Sequence, residues 1–508
     1  MASITLVLGV LTPAAGRADE PRSVNEPRLL AEPGELMQVV DAFDDNDVFD
    51  LHLSAGFQTS WKTANILRET SISQPGFSTG GFAASNLNVA RFKETTSRLN
   101  TRADIGLFRD LALVIRMPII LSNQRELNDL EGSAAQQSVV LQGLPGEQLF
   151  RLPFKSPKRS GIEYLAVGLD AALMSQARDL SKPTWIVGIE GRFNVSEPMH
   201  ACNDSPTPLN AASASQQKCA HPSDVNRNGV DGEGAGEENQ PLEGTFRGER
   251  DAGVSRGVTG LELHTYLSRR IKYVEPYAGF RALFEFQTSG SDYGTSSLKG
   301  SLVNHPPLQG TVLFGLNVFP WEIRDRFQRV ALDFRFTGTY VSEGRDYSEL
   351  FDALGSSDAP SLRQPNYAEY RRNPLYEGDP LGLPRSVVAT DSRRVYVTGI
   401  TDVQQYGIYT LSSSFTWQAG EYVKFNVGGA VTVAQEHFIT FDQACNPDFS
   451  GSLDTAGTCV SVSRPRAAPQ PSGIPNPNYR KVINDPGHRF KVDDSLQVDA
   501  WLNATVMF

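Results

Sequence analysis

Acidic and basic side chains recur at every second position along several apolar stretches of this 508-residue chain. Arg98, Arg102, Asp104 and Arg116 fall in one pair of such stretches. Glu190, Arg192, Glu262, His264, Arg281, Glu285, Asp333, Arg335 and Lys424 continue the pattern, with Asp170 and Asp499 beside them. Acid and base are nearly balanced. The chemistry that suits them is mutual ion pairing, or coordination of a small polar or amphipathic solute at a constriction. An arginine at alternate residues is not tolerated inside a dry sandwich, where an unpaired charge is prohibitive. It is ordinary on the wall of a wet lumen.

Two other groups of residues could do chemistry. Asp224, Asn226 and Asn228 stand at alternate positions before Gly229, with Asp231 and Glu233 following. Oxygen ligands at that spacing, with a glycine for the tight turn, can wrap a hard cation such as calcium. The stretch resembles the opening of EF-hand-like and dockerin-type calcium loops, but Ala235 occupies the place of their bidentate acid. The alternative is a flexible acidic turn. His52-Leu53-Ser54 has the His-x-Ser spacing of outer-membrane phospholipases. Leu51 and Leu53 claim the lipid side there, which turns His52 and Ser54 away from any lipid ester, so no catalytic residue is assigned and no enzyme activity is expected. The four cysteines form two local pairs, Cys202 with Cys219 and Cys445 with Cys459. Both lie in polar segments and suit loop disulfides made in an oxidising compartment; neither has zinc-site spacing.

The elements that must carry these residues are strands. The last stretch puts Leu496, Val498, Ala500, Leu502, Ala504, Val506 and Phe508 on one face and Gln497, Asp499, Trp501, Asn503, Thr505 and Met507 on the other. That is the period of a strand, not of a helix. Ending on an aromatic, it resembles the terminal strand of Gram-negative bacterial outer-membrane β-barrels. The resemblance implies recognition by the barrel-assembly machinery and a location in the cell outer membrane, among its lipids.

Twelve alternating segments are expected, at about residues 51–61, 98–107, 111–121, 163–175, 185–195, 258–268, 274–286, 311–319, 330–340, 405–417, 422–436 and 496–508. Their lengths suit tilted strands that cross a bilayer. Short connections alternate with long ones at about 62–96, 123–161, 196–257, 287–310, 341–404 and 437–495. The fold class is therefore all-β: a closed antiparallel transmembrane barrel over residues 51–508, with short periplasmic turns and long extracellular loops. Phe108, Trp185, Tyr273, Trp321, Phe327, Trp417, Tyr422 and Phe508 gather at the short-turn ends, where an interfacial girdle belongs.

Ahead of the barrel, the apolar run 3–15 followed by Gly16-Arg17-Ala18 fits a secretory signal spanning 1–18. Residues 19–50 read as a periplasmic tail or a plug, with a short helix at 35–43. A net charge of -11 argues against nucleic acid as a partner. The expected function is a channel or passive transporter for small solutes. The alternatives are a structural or surface-interaction barrel whose loops bind a partner and, last, a lipid hydrolase. No cofactor is expected, apart from calcium in the loop. Segments 161–173 and 183–195 resemble transporter-type barrels of the hydrocarbon and phenol uptake kind.

Overall fold

The structure, a computed structural model, describes residues 39–40, 42, 50–73, 82–129, 141, 143, 147–176, 178–204, 217–224, 249–288, 290–294, 301–363, 366–367, 394–446, 460–461, 470–471 and 474–508. Twelve strands form the wall: β1 (Leu51–Ser73), β2 (Phe82–Phe108), β3 (Leu111–Asp129), β4 (Leu165–Met174), β5 (Thr184–Phe193), β6 (Val258–Ser268), β7 (Val274–Gln287), β8 (Gln309–Ile323), β9 (Gln328–Val341), β10 (Tyr406–Gln418), β11 (Val423–Ala434) and β12 (Phe490–Met507). Each pairs antiparallel with the next, and β12 returns to β1, with Phe57 opposite Leu502 and Leu53 opposite Val506. Closure leaves no edge, which a strand protein in lipid requires.

The side chains sort as alternation demands. Leu53, Phe57, Leu107, Leu169, Ile189, Leu263, Phe280, Phe314, Phe334, Leu411, Val427 and Leu502 are all exposed on the outside. A band this broad and apolar is stable only against hydrocarbon. Phe108, Trp185, Tyr273, Trp321, Trp417, Tyr422 and Phe508 are exposed at the short-turn end, as expected of a girdle.

At the long-loop end, four strands run well past the segments that the alternation suggested. Much of the expected loop 62–96 is strand, because β1 runs to Ser73 and β2 begins at Phe82. Similarly, β3 extends to Asp129, residues 154–155 and 159–162 pair along it, and β12 starts at Phe490. The cause is an inversion of polarity along the same strands. Beyond Trp61 the outward positions turn polar, and the inward ones, Ala64, Ile66, Phe92 and Leu127, turn apolar and bury. A reading that required apolar residues outside stopped at the lipid boundary.

Those inward residues belong to a hydrophobic core formed with the loops. Leu149, Phe150, Leu350, Ala353, Leu354, Leu362, Val403, Ile439 and Ile483 pack against them and against Phe490 of β12, and fold into a cap seated within the extended rim. Short helices α1 (Phe351–Gly355), α2 (Pro360–Arg363) and α3 (Lys481–Asn484) lie in this cap. Lys62 points inward and meets Glu349 of the loop after β9 at 2.7 Å. Cys202 and Cys219 are joined in a disulfide, as expected. The partner proposed for Cys445, Cys459, lies outside the described residues, as do the signal segment 1–18 and most of 19–50.

Candidate functional site: the lumen

The inward phase of β2–β9 carries the ion pairs. Arg102 donates from Nε to both oxygens of Asp104 at 2.8 Å. Arg116 donates to Glu190 at 2.7 Å and lies 3.8 Å from Glu262. Arg192 pairs with the same two glutamates, so the four groups form one neutral cluster across β3, β5 and β6. His264 reaches Asp170 at 3.0 Å. Arg335 donates to Asp333 at 2.9 Å and to the Tyr277 hydroxyl at 2.9 Å, and that hydroxyl in turn donates to Asp333. Arg98 faces Glu163 at 3.5 Å, and Glu285 holds Arg256 at 3.0 Å. Arg281 stands opposite His264 in register, and Lys424 opposite Thr505. Fixed pairs of this kind remove charge from a low-dielectric space without leaving either partner unmatched.

Between these pairs lies a cavity of about 230 Å³. Arg102, Asp104, Arg116 and Lys424 line it together with His52, Ser54, Asn100, Tyr164 and Asn503. Of the expected lumen residues, these four charged ones are brought to a single space, whereas Asp333 and Arg335 lie on the far wall. His52 and Ser54 do point inward, but the Ser54 hydroxyl bonds Thr505 at 2.8 Å, and across β1–β2 His52 stands opposite Asp104.

Sequence reasoning missed the contact that Val39 and Val40 make with the barrel wall. Val39 and Val40 sit inside the barrel, buried against Ala112, Ile186, Tyr266, Tyr277 and Leu313, and Val40 also borders the cavity. Residues 39, 40 and 42 are not helical, which corrects the helix expected at 35–43. Their apolar spacing serves contact with the barrel wall instead. The tyrosines lie flat because glycines oppose them: a Cβ at Gly315 would come within 2.1 Å of the Tyr277 ring. Two inward tyrosines with glycines one strand away were the available sign of an aromatic floor.

Of the residues expected to hold calcium, Asp224 alone is among the described ones. Asp224 is fully buried and its carbonyl accepts from Arg363, while Asn226, Asn228, Asp231 and Glu233 lie outside the described residues. Among the described residues, no group of three or more His, Cys, Asp or Glu is arranged to hold a metal.

A closed antiparallel wall with lipid outside and paired charges inside has a particular home. This is a β-barrel of the outer membrane. No protein-family model and no curated protein matches the sequence. Among solved structures, the chain is similar to a Pseudomonas aeruginosa FadL homologue at 9% identity and TM-score 0.31, over 89% of this chain and 90% of that one. It is similar to the Pseudomonas putida toluene transporter TodX at 8% identity and TM-score 0.29, over 94% and 92%. An anion-selective porin from Comamonas acidovorans matches at 8% and TM-score 0.18, over 89% and 100%. Likeness at this level carries no argument about what this barrel does, which has to come from its own lumen.

Proposed function

We propose that the protein is a gated channel for small solutes, stopped at rest by the segment around Val39–Val40 at one end and by the loop cap at the other. The observation that carries this reading is the polar cavity of about 230 Å³ in the lumen, bordered by Val40. Twelve strands fall between the eight that side chains fill and the sixteen that leave an open channel, and here a polar space remains. Both stoppers are separate chain segments laid against the wall, so they can move while the hydrogen-bonded wall stays intact.

Conductance in planar bilayers tests this. The intact protein is expected to open rarely, and a V39D/V40D variant, which puts carboxylates among Tyr266, Tyr277 and Leu313, to give steady steps. Silence in both, with the barrel shown to be folded and inserted, would defeat the channel. The packed core of the cap supports the second reading, a surface-interaction barrel, and that is where silence would lead.

A further inference from the structure

The outer surface just beyond the lipid boundary of β1–β3 carries a patch that the channel does not use. Trp61, exposed and facing out, stands opposite Thr95, which stands opposite Gln124. A tryptophan in that position marks the level of the lipid headgroups. The next outward row reads Thr63, Lys93, Glu126, Lys155 across four adjacent segments. The row after it reads Asn65, Arg91, Asn128. Lys158 lies close by, next to Arg159, which pairs with Asn123 of β3. Arg91, Lys93, Lys155 and Lys158 are all exposed. Among the described residues, none of the four makes an ion pair, and Glu126 takes its hydrogen bond from Asn128 at 3.0 Å.

We propose that this patch binds the phosphate groups of a bisphosphorylated glycolipid of the outer leaflet, of the lipid A type. Two residues of a strand advance about 6.6 Å, so with the usual tilt Lys93 sits about 5 Å and Arg91 about 10 Å beyond the tryptophan row. Phosphates attached to a headgroup lie at that level. Lys93 and Lys155 are two strand spacings apart, about 10 Å, on either side of Glu126. Two separated ammonium groups match two phosphates on a disaccharide better than the single phosphate of a glycerophospholipid. The acyl chains would run down the apolar band beneath, so the charged site is continuous with the surface that lipid already covers. A free solute phosphate has no such second contact.

Binding to the full-length protein in detergent, followed by native mass spectrometry, tests the proposal. Bisphosphorylated lipid A is expected to bind more tightly than its monophosphoryl form, and phosphatidylglycerol more weakly still. K93Q/K155Q is expected to lose about twenty-five-fold, at roughly fivefold per cation. K93R/K155R should retain binding, as should K182Q at the short-turn end. Equal binding by K93Q/K155Q overturns the site, as does phosphatidylglycerol matching lipid A. Should the glutamine variant fail to fold, salt decides: lipid A binding by the unaltered protein that is indifferent to ionic strength overturns it.

Discussion

Arg159 and Asp352, 193 residues apart in sequence, meet in a two-pronged ion pair at 2.7 and 3.0 Å with neither side chain reaching solvent to any extent. Arg159 comes from the short pairing along β3 and Asp352 from α1 of the cap. Arg159 also donates to the carbonyl of His200, and the same carboxylate accepts from the amide of Cys202 at 3.0 Å. Three loops therefore share one buried charge pair. Removing one partner strands the other, at a cost of about 3–5 kcal/mol. D352A should leave the barrel heat-resistant on gels while the cap becomes sensitive to added protease. R159M/D352L should restore much of the protection, since an apolar pair of similar size leaves no charge unmatched. A double variant no better than the single one would mean that the surrounding carbonyl and amide contacts, not the charges, hold the cap.

Acid should loosen the same cap. Burial works against the charge of Glu349, but Lys62 beside it and His437 farther off overcome this and bring its carboxyl to about 2 from an ordinary 4.5. Asp352, beside Arg159, and Asp292, beside Arg250 and His200, are held low against burial in the same way. A depressed acid contributes stability that is complete above its unfolded value and disappears as pH falls through the folded one. For Glu349 that is about 3 kcal/mol, lost between about pH 4.5 and 2. Proteolysis of the cap should therefore accelerate over that window, and less so in E349Q. A protection profile flat down to pH 2 would contradict it.

Asp402 and Asp442 behave in the opposite sense. Burial raises both; the charges of Asp442 and Glu343 add to it at Asp402, and at Asp442 burial outweighs the pull of Arg345, Asn476 and Arg480. For a raised acid the contribution is present at low pH and is lost as pH climbs through the folded value. D402N, which keeps the shape without the charge, should make the cap more resistant to protease at pH 8 and change little at pH 4. Greater sensitivity at pH 8 would show that the ionised carboxylate is needed.

The Cys202–Cys219 bridge closes a segment of 17 residues beside this cluster. Cross-linking a loop of that length removes about 3 kcal/mol of freedom from the open state. C202S/C219S, or reduction in mild denaturant, should expose the 197–224 region to protease before the barrel itself melts. Simultaneous loss of both would mean that the cap and wall unfold as one unit.

Much of the wall was legible in the sequence because lipid imposes a single rule on every spanning strand. Leu496 to Phe508 keeps its apolar side out without interruption, and all twelve expected segments are strands of the barrel. The rule lapses past Trp61. Ile66 and Phe92 bury inward among the loops, and their contacts with Leu350 or Phe490 depend on residues hundreds of positions away. The charged lumen residues could be read as pairs from alternation, but not which pairs. Arg116 and Glu262 meet across β3 and β6 only once the barrel has curved. The wall residues that Val39 and Val40 touch could not be read from the sequence, because nothing local links them to Ala112 or Tyr277.

Arg116 provides the last prediction, which rests on the channel. It borders the cavity, and its partners Glu190 and Glu262 remain paired with Arg192 when it is replaced. R116Q therefore removes one positive charge from the wall and leaves the two carboxylates held. The pathway should become more cation-selective, read as a shift of reversal potential in a salt gradient across a bilayer. The V39D/V40D background supplies enough openings for the measurement. R335Q serves as the control, because Arg335 pairs with Asp333 and Tyr277 away from the cavity. If the two variants shift selectivity equally, or neither does, ions do not pass through the space that Arg116 lines.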